Sequence, residues 1–160
     1  MCWYLAWVFR APKTLFRVLA LAEMVSWTLL ILGLIVKYAF SLDIAAVIGG
    51  SIHGFVFLSY GATAVLLTFH QRWPVWLGVV TVLSAIVPYA TLPVERWLAR
   101  TGRLEGQWKL EVPPAAERRW YDPIMVWFLR HPLLFGVLIV LAVIALYFVF
   151  LWIGPPIPKS

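Results

Sequence analysis

Two long apolar segments, separated by only three residues, limit what this chain can fold into more than any other feature. They cover residues 15–40 and 44–69, and the link between them is Ser41, Leu42 and Asp43. Each segment exceeds the roughly 20 residues that a helix needs to cross a bilayer. Because a span in lipid must satisfy its own backbone hydrogen bonds, both segments are predicted to be helices. The short link makes them antiparallel neighbours.

The composition favours a membrane protein. Hydrophobic residues make up 63% of the 160 residues and charged residues 12%, with a mean hydropathy of +0.90. Soluble domains have about 45–50% apolar and about 25% charged residues. The net charge of +6 comes from basic residues at the ends of apolar segments, where they anchor helices and contact anionic lipid. We therefore predict the lipid bilayer as a partner and no binding of nucleic acid.

Two more apolar segments follow, and a charged stretch separates them. The first covers residues 75–94 and contains Pro88, which predicts a kink near its far end. The sequence therefore predicts an all-α integral membrane protein with four transmembrane helices. Its parts are an N-terminal interfacial segment (1–14), a three-span up-down-up unit (15–98), a charged solvent loop with a candidate interfacial helix (99–131), a fourth span (132–153) and a tail (154–160).

Ionisable groups interrupt both long segments, and lipid penalises such groups unless they face the protein interior. Glu23 and Ser26 lie one turn apart on the first segment, and His53 and Tyr60 lie two turns apart on the second. Glycines at helical spacing let another helix approach closely. The two stripes are predicted to face each other. The predicted polar interior is Glu23, Ser26, His53 and Tyr60, and the predicted helix-packing positions are Gly33, Gly50, Gly54 and Gly61.

Depth along the helices predicts which polar groups meet. Counting from the link at about 1.5 Å per residue places Glu23 level with Tyr60. Glu23 and His53 are then about 10 Å apart along the axis, which is too far for a direct hydrogen bond. The same count places Lys37 level with Glu95 and predicts a structural ion pair between them.

The chemistry of these groups leaves two interpretations open for Glu23. It is either a proton- or cation-binding carboxylate, or a hydrogen-bonded acid that holds helices together. Haem on His53 is disfavoured, because the other histidines, His70 and His131, lie at segment ends. The sequence has no zinc-ligand spacing, no glycine-rich phosphate loop and no Ser/His/Asp set in a soluble context. We therefore expect no metal, no cofactor and no enzymatic activity.

Residues 14–100 carry a combined pattern that resembles a known family. The pattern is Phe16, Arg17, Ala20, Glu23, Ser26, Trp27, Lys37, Tyr38, Gly50, His53, Gly54, Phe57, Tyr60, Pro88, Glu95 and Arg96. In this combination it resembles the bacterial domain-of-unknown-function family 3817, which consists of small integral membrane proteins. The resemblance implies a membrane location and a three-helix unit, and it supplies no activity. The charged loop and the fourth span lie outside it.

These observations support two hypotheses about function. The first is an accessory or structural subunit of a larger bacterial membrane complex, or a homo-oligomer, without catalytic activity. The alternative is a small oligomeric transporter or proton or cation pathway through Glu23, His53 and Tyr60. We expect a multi-pass protein of the bacterial inner membrane with a cytoplasmic N-terminus, because Lys and Arg around the first helix usually decide orientation. The seven Lys and Arg residues in the charged stretch 95–132 argue for the reverse orientation in a four-span topology.

Overall fold

The computed structural model describes residues 11–108 and 111–153, and its regular structure within those ranges is entirely helical. The helices are α1 (Pro12–Phe40), α2 (Asp43–His70), α3 (Val75–Leu83), α4 (Thr91–Arg100), α5 (Asp122–Arg130) and α6 (Pro132–Ile153). The predicted all-α class is confirmed. The predicted tail, and the predicted interfacial segment up to Arg10, lie outside the described residues.

The antiparallel pair of α1 and α2 is the frame of the molecule. Pro12 occupies the first turn of α1, where its missing N–H costs no hydrogen bond. Ser41 ends α1 in the left-handed conformation, with φ of 55°, and the chain reverses there. Among the described residues, these two helices are long and apolar enough on their own to cross a membrane. We call the two extremities of the pair the Ser41 end and the His70 end.

Glycines set the register of the pair near the Ser41 end. A Cβ on Gly33 would lie 2.5 Å from the carbonyl oxygen of Ala45, and one on Gly49 would lie 2.8 Å from that of Leu29. A symmetric turn would place Leu29 opposite Gly54 instead of Gly49, so α2 is shifted by about five residues along α1. The predicted depth count is wrong for this reason.

The predicted third span is not found as one continuous helix, because the chain turns back within the protein. α3 has nine residues, about 14 Å of helix, and a series of turns over residues 84–90 leads into α4. The indole Nε1 of Trp73, before α3, donates to the carbonyl of Arg103, after α4, at 3.2 Å. Gln71 likewise donates to the carbonyl of Glu105 at 3.2 Å. Residues 75–100 therefore form a helical hairpin that starts and finishes at the His70 end, and we call it the re-entrant hairpin.

The turns between α3 and α4 explain how the chain reverses direction, which a single kink at Pro88 would not achieve. Pro88 cannot continue a helical hydrogen-bond ladder, and the next residue, Tyr89, has φ of 66°. A left-handed residue reverses the local direction of the chain, whereas a proline alone only bends a helix. The sequence revealed Pro88 but not the conformation of Tyr89.

The last two helices meet at a sharp angle. α5 occupies the position of the predicted interfacial helix, and it makes an angle of 96° with residues 133–145 of α6. If α5 and α6 cross as one broken span, the described residues hold three candidate spans. The predicted four spans are therefore not confirmed in the described residues.

The buried core lies toward the His70 end. Phe16, Tyr60, Leu67, Leu77 and Leu98 are fully buried there, where the hairpin packs on α1 and α2. Near the Ser41 end the two helices have large exposed apolar side chains instead. The covered half is thus the part of the protein that can hold polar groups away from lipid.

Candidate functional site

The most unusual group in the covered half is the carboxyl of Glu23. Its side chain is 0% exposed on a helix that is long and apolar enough to span a bilayer. Its Oε1 has no hydrogen-bond partner among the described residues. The nearest cationic candidate is Nδ1 of His53, at 3.8 Å from Oε1. A buried carboxylate without a compensating charge is costly, so this pair of groups sets the electrostatics of the site.

Ser26 joins the two groups. Its hydroxyl lies 2.9 Å from the carbonyl oxygen of Glu23, 3.3 Å from Oε2 of Glu23 and 3.0 Å from Nδ1 of His53. A serine hydroxyl has one hydrogen to donate. When that hydrogen points to Glu23, the imidazole must donate from Nδ1–H to the serine oxygen. The hydroxyl therefore lies between the imidazole and Glu23, and its one hydrogen can go to the backbone carbonyl of Glu23, to the carboxyl of Glu23 or to the imidazole. We call these three residues the Glu23–Ser26–His53 cluster.

This cluster corrects one prediction and extends another. The sequence correctly placed Glu23, Ser26 and His53 on facing stripes, but it predicted that Glu23 and His53 were too far apart to interact. The five-residue shift between α1 and α2 brings them to one level. Tyr60, predicted opposite Glu23, instead stacks on Phe16 with ring centroids 5.0 Å apart.

Aromatic rings enclose the imidazole of His53. The ring of Trp27 lies 4.4 Å from it, centroid to centroid, and that of Phe57 lies 6.0 Å away. The indole Nε1 of Trp27 donates to the carbonyl of Ala85, in the turns of the hairpin, at 3.1 Å. One side chain therefore contacts the imidazole and also holds the hairpin against it.

Three further hydrogen bonds fix the hairpin to α1 and α2. Ser84 donates to the carbonyl of Thr81 at 2.6 Å, so the hydroxyl of Tyr60, 3.0 Å away, is the donor to Ser84. Thr91 donates to the carbonyl of Ala20 at 3.2 Å. The hydroxyls of Thr28 and Tyr89 are 3.3 Å apart. The bonds of Tyr60 and Thr91 satisfy buried polar groups, whereas the contact of Thr28 with Tyr89 is exposed.

The covered half holds a second buried acid besides Glu23. Glu95 lies on α4 and is 2% exposed. The covered half therefore contains two buried carboxyl groups, those of Glu23 and Glu95.

The predicted ion pair between Lys37 and Glu95 does not form. Nζ of Lys37 pairs with Oδ1 of Asp43 at 3.1 Å, at the Ser41 end. Glu95 lies one turn after Thr91, whose hydroxyl binds the carbonyl of Ala20, far from Lys37 along α1. The prediction assumed a straight third span, and the re-entrant hairpin carries Glu95 back toward the His70 end.

The predicted glycine contacts are only partly found. Gly33 lies at the closest approach of α1 and α2, and Gly50 is 4.0 Å, at its built Cβ, from the side chain of Leu30. A Cβ on Gly54 or Gly61 would meet no atom within 4 Å. The sequence missed Gly49, and it also missed Gly78, where a Cβ would clash with Thr68.

Sequence reasoning also missed the polar groups that the hairpin supplies. Thr81, Ser84 and Thr91 are buried and hydrogen-bonded. The sequence did contain a signal for them, because hydroxyl residues recur through the segment that was predicted to be the third span. Among the described residues there is no group of three or more His, Cys, Asp or Glu that could hold a metal ion.

Comparison with known proteins gives a family but no activity. Residues 13–100 match the family model described as a domain of unknown function, DUF3817. A protein of Streptomyces coelicolor, named a "putative membrane protein", is 33% identical over 93 residues, which are 56% of this chain and 11% of that relative. The chain thus spans about a ninth of the length of this relative. No solved structure matches the chain.

Proposed function

From the premise that the chain belongs to the DUF3817 family, we propose that it is a membrane unit that binds and passes on a proton through the Glu23–Ser26–His53 cluster. The observation that carries this proposal is the Oε1 of Glu23, fully buried and without a hydrogen-bond partner among the described residues. A proton on this oxygen neutralises the carboxyl in the apolar interior. Charge neutrality is the cheapest way to keep such a group buried.

The cluster supports two arrangements of a single proton. In one, Glu23 is a neutral carboxylic acid beside a neutral imidazole. In the other, the proton has moved to His53, leaving a carboxylate beside an imidazolium 3.8 Å away. Both arrangements have zero net charge, so the proton can move between the two groups without creating an uncompensated buried charge. When Nδ1 of the neutral imidazole carries no hydrogen, the hydroxyl of Ser26 can donate to it while accepting from the protonated carboxyl of Glu23, which gives a hydrogen-bonded route for the proton.

Glu95 and Tyr60 suggest where the proton would enter. Both are buried, and the hydroxyl of Tyr60 donates to Ser84 on the hairpin. The hairpin side of the covered half therefore offers further buried polar groups besides the cluster. A proton suits these groups better than a metal ion, because the described residues offer no group of three or more His, Cys, Asp or Glu for a metal.

We further propose that the His70 end faces the cytoplasm of a bacterium, with the protein in the inner membrane. The re-entrant hairpin carries the long charged loop back to the end where α1 begins. In this arrangement most of the described Lys and Arg residues lie at the His70 end, and Lys37 lies near the Ser41 end. This distribution satisfies the positive-inside rule without the conflict that a four-span topology creates.

A second candidate function is that of an accessory subunit in a larger membrane assembly, or of a homo-oligomer. The observation that favours it is the relative from Streptomyces coelicolor, in which the matching segment is 11% of a much longer protein. The described side chains of α6 include exposed apolar residues such as Val137, Leu141 and Ile144, so this helix can meet lipid or another protein. Native mass spectrometry of protein extracted in gentle detergent tests this candidate. A lone monomer would count against it.

Infrared difference spectroscopy across a pH titration tests the proton proposal. We expect the carbonyl stretch of a protonated carboxylic acid in the unmodified protein and its loss in Glu23→Gln. Glu105→Gln, in the exposed loop, is the matched control and should keep the band. The same band at full intensity in Glu23→Gln would overturn the assignment.

Proton flux into liposomes tests transfer separately from binding. A dye inside the liposomes reports the internal pH while a potassium gradient with valinomycin sets the voltage. We expect flux in the unmodified protein, at least a tenfold loss in Glu23→Gln and little change in Glu105→Gln. A normal carboxylic acid band without any flux would leave binding in place and remove transfer from the proposal.

A further inference from the structure

Two adjoining hollows lie at the His70 end, away from the Glu23–Ser26–His53 cluster. One, which we call the polar cavity, has a volume of about 620 Å³ and lies between the end of α2, the charged loop and α5. The other, the apolar groove, has a volume of about 450 Å³ and lies between α1, α2, α5 and α6. Trp108 and Leu129 line both hollows. Both volumes fall in the range of about 300–1,000 Å³ that is typical of small-molecule sites.

The apolar groove has the character of a hydrocarbon site. Its wall is formed mostly by aliphatic and aromatic side chains, among them Leu15, Phe55, Phe128 and Ile139. Ser59 and Thr63 also line it, and the hydroxyl of Ser59 donates to the carbonyl of Phe55 at 2.8 Å. That hydroxyl hydrogen is therefore already used within α2.

The described residues that line the polar cavity have both signs of charge, with an excess of carboxylates. Arg72 donates to the carbonyl of Glu117 at 3.1 Å, and its guanidinium lies 3.9 Å from Asp122. Asp122 also accepts from the backbone N–H of Arg119 at 2.7 Å. The carboxyl groups of Glu111 and Glu117 add two acids to this wall, where the guanidinium of Arg72 already faces Asp122.

Trp108 sits at the boundary between the two environments. Its ring contacts that of His70 edge to face, with centroids 5.0 Å apart. Tryptophan is enriched where hydrocarbon gives way to lipid headgroups. The shared wall thus marks the level at which a bound amphiphile would change from tail to headgroup.

We propose that the two hollows form one binding site for a phospholipid with a primary-amine headgroup. An acyl chain occupies the apolar groove, and the headgroup occupies the polar cavity. The ammonium group lies against the carboxylates of Glu111 and Glu117, and the phosphate lies toward Arg72. A headgroup with both charges matches this wall, whereas a purely anionic headgroup would meet an excess of carboxylates.

Gly136 offers a way to block the acyl chain without disturbing the protein. It lines the apolar groove, and a Cβ there would meet no atom within 4 Å. Gly136→Leu therefore places a side chain in the groove itself. Gly54→Leu is the matched control, because Gly54 is also open at its Cβ but does not line the groove.

The experiment is native mass spectrometry of the full chain from nanodiscs that contain equal amounts of phosphatidylethanolamine, phosphatidylcholine and phosphatidylglycerol. We expect one retained phosphatidylethanolamine, enriched at least fivefold over each of the other lipids. Gly136→Leu should reduce retention at least tenfold, and Gly54→Leu should not. Glu111→Gln combined with Glu117→Gln should remove the preference for the amine while a lipid is still retained.

The proposal is overturned by three results. These are no retained lipid, equal retention of all three lipids by the unmodified protein, or unchanged retention in Gly136→Leu. Thermal unfolding checks that Gly136→Leu is folded. If that variant does not fold, Ile139→Trp fills the same groove from the next turn of α6, and unchanged retention in it would also overturn the proposal.

Discussion

The two ends of the α1–α2 pair are held together by different chemistry. Toward the Ser41 end, backbone meets backbone at Gly33 and Gly49, and large side chains such as Tyr38, 79% exposed, point away. Toward the His70 end, the helices are joined through buried polar and aromatic side chains under the re-entrant hairpin. Small residues therefore let two helices pack directly against each other. Buried polar groups need a third element that shields them from lipid and supplies hydrogen-bond partners.

The largest expected effect comes from testing whether the hairpin brings the chain after α4 back to the end of α2. Cysteines at Gln71 and Glu105, in a chain with Cys2→Ser, should be joined by a short crosslinker, because the Gln71 side chain contacts the Glu105 backbone at 3.2 Å. A pair at Gln71 and Ser41 should not react. Mobility on denaturing gels measures the outcome. A straight third span would put the first pair on opposite faces of the membrane and abolish its crosslink.

The next largest effect is expected at the glycine contact. Gly33→Leu forces a side chain against the backbone of α2, and overpacking of this kind costs about 1–3 kcal/mol of unfolding free energy. Gly54→Leu, with open space at its Cβ, should cost much less. Thermal unfolding in detergent compares the two variants. Equal loss of stability would show that the close approach does not hold the Ser41 end.

A smaller effect is expected where the hairpin is fixed to α2. Tyr60→Phe removes the donor to Ser84 and should cost about 1 kcal/mol, because one buried hydrogen bond is lost. Tyr38→Phe, on the exposed surface, is the control. Reactivity of a cysteine at Ile86, in the turns of the hairpin, toward a water-soluble maleimide should rise in Tyr60→Phe only. An unchanged rate would mean that this bond does not hold the hairpin in place.

The smallest effect is expected at the ion pair of Lys37 and Asp43. The two side chains are 39% and 80% exposed, so solvent screens their attraction. Lys37→Ala should change the unfolding free energy by less than about 0.5 kcal/mol. A loss as large as that of Gly33→Leu would contradict the view that backbone contacts hold this end.

The sequence was sufficient for the parts of the fold that depend on local hydrophobicity. The two long apolar segments and their short link define α1 and α2, and the facing polar stripes place Glu23 and His53 in the interior. The depth of these groups was not predictable in the same way. It depends on how closely the helix backbones approach at Gly33 and Gly49, which is a property of the pair and not of either helix.

The hairpin shows a second limit of sequence reasoning. An apolar segment of about 20 residues predicts a span on length alone. What turns it back is the left-handed residue Tyr89 after Pro88, together with hydroxyl groups that find partners on α1 and α2. Hydropathy cannot register these partners, because they are distant in the chain. The predicted pairing of Lys37 with Glu95 failed for the same reason.

The hydrogen bonds of the hairpin also bear on the order in which the protein is assembled during synthesis. The hydroxyl of Thr91 and the indole of Trp27 find their acceptors only when the hairpin lies against α1. Neither half of the hairpin is long enough to be released into lipid as a finished span. The translocon would therefore deliver α1 and α2 first, and the hairpin would enter the bilayer only by docking on that completed pair. Insertion of this segment is in effect a folding step.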